Sequence, residues 1–117
     1  MIDSLEEFNI KVCDFGISGI FCKNNTDQTL AGIILNNLGS PKYMSPEVLT
    51  DKSPAKPSMD IWSMGIILYR ILHGYFPFQA ETCKELFELI KKGEYSFDGK
   101  IKSSVSRCCL EFIDSML

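Results

Sequence analysis

At 117 residues, with 45% hydrophobic and 23% charged side chains, the chain has the size and balance of one ordinary globular domain, and its hydrophobic share excludes disorder. A net charge of -3 without any long Lys/Arg run removes the electrostatic case for nucleic acid or an anionic membrane surface as partner. The longest apolar run, Ile61 to Leu72, is interrupted by Arg70 and falls short of the ~20 residues of a bilayer span, so it predicts a buried helix rather than a membrane one.

Residues 1 to 8 carry Asp3, Glu6 and Glu7 and lack the basic start and apolar middle of a secretory signal, which points to an intracellular, reducing setting. The five cysteines are odd in number and never form a Cys-x-x-Cys pair, so they indicate neither a disulfide frame nor a zinc site.

In chain order, Phe8, Ile10 and Val12 alternate with polar or small residues, the period of a half-buried strand that ends at Asp14. Residues 16 to 47 lack sustained periodicity and hold Gly19, Gly32 and Gly39 with several asparagines. They read as a long loop with a turn of helix near Ala31 to Leu35. Loops of that length inside a compact domain are usually functional or disordered, and here the functional reading is favoured. A short helical turn follows Glu47. Ser58 is then expected to cap a helix with Asp60 in its first turn, ending at Gly74 with Pro77 beyond. Ile61, Trp62, Met64, Ile66, Ile67, Leu68, Ile71 and Leu72 leave that helix almost no polar face, so it should be surrounded by protein. Glu81 to Lys92 predicts an amphipathic helix stopped by Gly93, and a last helix should begin at Ser103 or Ser104. The fold expected is mainly α.

Asp14-Phe15-Gly16 alone is a weak signal. Followed by Gly39-Ser40-Pro41-Lys42-Tyr43-Met44-Ser45-Pro46-Glu47, the Asp60 helix and Gly74-Tyr75-Phe76-Pro77-Phe78 in that order, it resembles the C-terminal lobe of a serine/threonine protein kinase. Gly39-Ser40-Pro41-x-Tyr43 carries the serine/threonine likeness. Ile90 to Phe97 is similar to the calcium/calmodulin-dependent and AMP-activated-like group. The resemblance covers residues 1–117 as one partial kinase domain, with an activation segment at 14–47 and a helical part at 48–117.

By that resemblance the complete kinase uses ATP and Mg2+ and phosphorylates serine or threonine of a protein substrate. Asp14 would hold the magnesium, and Asp14, Phe15 and Gly16 would border the nucleotide, with Phe15 packed into the core. Ser40 would seat the substrate. Glu47, Asp60, Trp62 and Gly65 would be structural, Glu47 pairing with an arginine and Asp60 bracing the catalytic loop. The stretch before Gly39 holds Asn36 and Asn37 where the family commonly has a phosphorylated threonine, which leaves Thr26 and Thr29 as the phosphosites expected here. Several arginine-selecting kinases carry a glutamate at the position of Arg70, so this chain should select arginine weakly. His73 has no Ser or Cys partner by spacing and suits a helix-end packing role.

The sequence contains no Gly-x-Gly-x-x-Gly loop, no Val-Ala-Ile-Lys-like lysine and no His-Arg-Asp-x-x-x-x-Asn loop. Met1 is accordingly expected to be an internal methionine, and the isolated chain to be inactive, weak in ATP and Mg2+ binding, and marginally stable. The alternative is a non-catalytic, pseudokinase-like binding module that docks through helix 81–92.

Overall fold

The computed structural model describes residues 10–16, 18, 39–50 and 56–117. Among these the protein is mainly helical. A 3-10 turn at Pro41–Tyr43 leads into α1 (Pro46–Thr50), α2 (Ser58–His73), α3 (Cys83–Lys92), α4 (Gly99–Ser104) and α5 (Arg107–Asp114). α1 packs against α3, α2 against α5, and the 3-10 turn against both α2 and α3.

The core forms where the inward stripe of α2 meets α3. Trp62, Ile66 and Tyr69 recur at helical spacing and are buried, and Trp62 stacks on Phe78 with ring centroids 5.9 Å apart. Leu86 and Ile90 supply the facing stripe from α3. Burying each such side chain is worth roughly 1.5–3 kcal/mol, so this cluster holds the helices together. Gly65 lies where α2 meets the residues that follow α5. A Cβ there would come within 2.8 Å of both Met116 and Leu117, so the absence of a side chain sets the approach distance.

Helix stops follow the expected chemistry. Gly74 takes a left-handed φ of 77° and donates its N–H to Arg70 O, and Gly93 ends α3 at φ 66°.

Helix starts differ from expectation in three places. Ser58 is the first residue of α2 rather than its cap, because Pro57 already has helical geometry and its carbonyl accepts from Asp60 N–H. α3 begins at Cys83, two residues after Glu81, because Thr82 and Glu85 form a reciprocal capping box. The last helical stretch is two helices. Asp98 caps α4 and Ser106 caps α5, while the Ser103 and Ser104 hydroxyls donate back to Lys100 and Ile101 carbonyls and so close α4 instead of opening a helix.

The strand expected over Phe8 to Cys13 is corrected as well. Ile10 makes only an isolated bridge, and residues 11–15 are irregular. Ile10 and Val12 are each 81% exposed, so the alternating pattern has no covering layer among the described residues to fix it as a strand. Phe8, and the turn expected near Ala31 to Leu35, lie outside the described residues.

α2 is two-faced. Opposite its buried stripe, Ile61, Met64 and Ile67 are between 43% and 45% exposed and Ile71 is 71% exposed. The all-round apolar helix is therefore covered on one side only by the described residues.

Candidate functional site: the Ser40 loop and its aromatic seat

Asp14 has φ 66°, the only non-glycine residue with positive φ among the described residues. Aspartate enters that region more readily than most residues, yet any non-glycine residue there carries some backbone strain, which concentrates at functional positions. Its carboxylate is exposed, and Ser18 N–H closes the following turn onto Phe15 O at 3.1 Å. No group of three or more His, Cys, Asp or Glu side chains that could hold a metal occurs among the described residues. A lone carboxylate suits Mg2+, which keeps waters and substrate phosphates as its other ligands. Phe15 is 66% exposed, against the expectation that it packs into the core: the described residues supply no apolar neighbours to cover it.

The second part is built more firmly. Gly39, at φ 119°, turns the chain into Ser40, and Pro41 then starts the 3-10 turn with its φ already fixed. Tyr43 N–H bonds Ser40 O at 3.0 Å. The Ser63 hydroxyl lies 2.9 Å from Tyr43 O and 3.1 Å from Met59 O, so its single proton ties the loop to α2 or rests within the helix. Ser40 is exposed and its hydroxyl has no partner among the described residues, which leaves it available to a bound chain.

Beside the loop, Tyr43 meets Phe76 edge to face at 5.4 Å. Arg70 donates from Nη1 to the Tyr43 hydroxyl at 3.2 Å and lies over the Phe76 ring at 4.5 Å, and Lys42 lies over the same ring at 4.7 Å. Tyr43, Ile67, Arg70, Ile71 and Gly74 border a depression of about 310 Å³. A larger groove of about 490 Å³, lined in part by Tyr75, Phe76, Pro77 and Phe78 of the Gly74–Phe78 motif together with Gln79 and Glu94, contains none of Asp14, Ser40 and Glu47. The Tyr43–Phe76–Arg70 cluster was not visible in the sequence, since its members are far apart along the chain and no local period links them.

Glu47 accepts from the Ser58 hydroxyl at 3.4 Å, a long contact that joins α1 to the start of α2. Asp60 is exposed in the first turn of α2, where its charge suits the helix dipole. Trp62 is 6% exposed, and its indole Nε1, like Ser45 Oγ, is buried without a hydrogen-bond partner among the described residues. Thr26 and Thr29 lie outside the described residues.

His73 serves as a packing residue. Its ring stacks on Tyr69 at 3.9 Å, its Nδ1 lies 2.9 Å from Tyr69 O, and Nε2 accepts from Asp98 N–H at 3.3 Å.

The family model for the protein kinase domain matches residues 1–117, the whole chain. The chain belongs to the protein kinase domain family. Its similar relatives include the human serine/threonine-protein kinase H2, 37% identical over 96% of this chain and 28% of the relative. The sucrose non-fermenting protein kinase 1 of Fusarium virguliforme is 43% identical over 78% of this chain and 12% of the relative. The probable serine/threonine-protein kinase MARK-A of Dictyostelium discoideum is 37% identical over 92% of this chain and 9% of the relative. The chain thus spans less than a third of the length of each of these relatives. No helix among the described residues is long and apolar enough to cross a membrane.

Proposed function

We propose that this chain is the activation-segment and substrate-facing part, residues 14–47 and 48–117, of an intracellular ATP-dependent kinase that transfers phosphoryl groups to serine or threonine of proteins. The observation that carries the reading is the substrate loop: Ser40 stands exposed with a free hydroxyl on a turn whose Tyr43 carbonyl lies 2.9 Å from the Ser63 hydroxyl of α2. With the Ser63 proton on the Tyr43 carbonyl, the shorter of its two contacts, the loop presents its side chains in a fixed geometry, and positioning supplies most of the catalysis in phosphoryl transfer.

Asp14 would hold Mg2+, with Phe15 and Gly16 bordering the nucleotide. The bound metal supplies charge neutralisation for the phosphates. Ser40 orients the accepting chain. Asp60 and Glu47 hold the ends of α2 and α1, and Trp62 and Gly65 fix how α2 packs. Thr26 and Thr29 are the proposed phosphosites. Taken by itself the 117-residue chain is read as catalytically silent, because the lysine clamp, the glycine-rich loop and the catalytic aspartate are not among its residues.

The test is Mg-ATP-dependent phosphorylation of a serine/threonine peptide library by the intact protein, with Asp14→Asn lowering kcat by about 100-fold or more. Undiminished turnover in that variant would remove Asp14 from the role.

A second reading, a non-catalytic binding module, is favoured by the uncovered Ile61, Met64, Ile67 and Ile71 stripe of α2. In that reading α3, within residues 81–92, is the docking helix. ATP-independent capture of a partner by the intact protein, with no turnover in the library, would select it.

A further inference from the structure

Lys42 and Arg70 are both exposed, both lie over the Phe76 ring, and neither forms an ion pair with a carboxylate among the described residues. Two cations held on one ring repel each other. The ring face offsets part of that cost, since its quadrupole attracts positive charge, but the charge itself stays unneutralised. Arg70 spends one N–H on the Tyr43 hydroxyl and keeps the rest of its planar fork for an oxyanion. The fork opens beside the depression of about 310 Å³, whose other walls include Ile67 and Ile71. Ile67 and Ile71 are themselves exposed, so a bound peptide that covers them would exclude water and strengthen an ion pair formed against them. The overall charge of -3 makes this local positive seat a departure from the rest of the chain.

We infer that the Lys42–Arg70–Phe76 cluster is a specificity pocket for an acidic side chain of a bound peptide, a carboxylate or a phosphoserine, beside the Ser40 loop. The inference rests on the substrate-loop reading for the identity of the peptide as substrate, but not for its charge. Arg70 supplies the bidentate contact, Lys42 a second point charge, and Tyr43 fixes the guanidinium so that little is lost in ordering it.

The experiment uses the intact protein and fluorescence anisotropy, so that it does not need turnover. Labelled peptides of equal length carry aspartate, phosphoserine, alanine or arginine at one scanned position on either side of the acceptor. At the responsive position the aspartate or phosphoserine peptide should bind about tenfold more tightly than the alanine one, the scale of one charge-assisted contact. Arg70→Glu should abolish that gain and favour the arginine peptide. Lys42→Glu, on an exposed side chain of the 3-10 turn, should reduce it while the protein remains folded. Lys100→Glu, the same charge change on α4, should leave it unaltered.

Preference for phosphoserine over aspartate assigns the pocket to phosphate, and equal binding assigns it to carboxylate. Either supports the inference. Equal binding of all four peptides, or an acid preference that survives both Arg70→Glu and Lys42→Glu, overturns it. Acid-selective binding without any phosphorylation would instead overturn the kinase reading and leave the pocket standing.

Discussion

The Tyr95 hydroxyl donates to Asp114 Oδ1 at 2.5 Å and so joins the segment after α3 to the end of α5, 19 residues further on. This contact and the buried Ile113 beside it hold α5 against the body of the protein. Tyr95→Phe should therefore lower stability by about 1 kcal/mol in urea denaturation, the usual net worth of such a bond. Asp114→Asn, which keeps an acceptor, should cost less.

Alkaline pH should weaken the fold through two tyrosines. Burial pushes the Tyr69 hydroxyl up to about 12 with help from neighbouring Tyr75, and burial with the Asp114 contact raises Tyr95 further. A folded value above the unfolded one means that the neutral form is the one favoured by folding. The corresponding stability is whole below pH about 10, the ordinary tyrosine value, and is lost as pH rises through about 12. Of the four tyrosines, tyrosinate absorbance should show Tyr69 and Tyr95 titrating late and together with unfolding. Early titration of all four would contradict this.

Ser45→Ala should stabilise the protein. The Ser45 hydroxyl is 1% exposed with no hydrogen-bond partner among the described residues, and a buried unpaired polar group costs about 1–3 kcal/mol. The expected gain is about 1 kcal/mol after the small void is counted, visible as a raised Tm. An unchanged or lower Tm would mean that the hydroxyl is satisfied.

Gly65→Ala should destabilise, although alanine is the better helix former by roughly 1 kcal/mol. The new methyl meets Met116 and Leu117 at 2.8 Å, and overpacking of this kind costs about 1–3 kcal/mol. Hydrogen exchange should report the loss first in α5, since α5 must move away from α2.

What could be read from the sequence was what is decided locally. Gly74 and Gly93 end their helices because only a left-handed residue fits there, whereas the apolar run of α2 gave a helix without singling out Trp62, Ile66 and Tyr69 as its buried stripe. Thr82-Cys83-Lys84-Glu85 is a capping-box pattern that was present in the sequence and overlooked. The strand at Phe8 to Cys13 was misjudged because alternation states a preference for a sheet without supplying the partners. The Arg70 seat was out of reach for a different reason: its hydrogen bond to Tyr43 spans 27 residues, and its aromatic floor comes from the turn after α2. Only the sign of the charge at Arg70 was legible beforehand. The glycine at 39 and proline at 41 foretold a turn around Ser40, but not the Ser63 contact that anchors it.

That contact is made to a main-chain oxygen. Any residue type at position 43 offers the same carbonyl, so the loop can exchange the side chain it presents without losing its mooring. Shape and selectivity are thereby separable: Ser63 and the packing of Tyr43 on Phe76 keep the path of the chain, while the exposed Lys42 and Arg70 are free to be rewritten for a different recognition sequence.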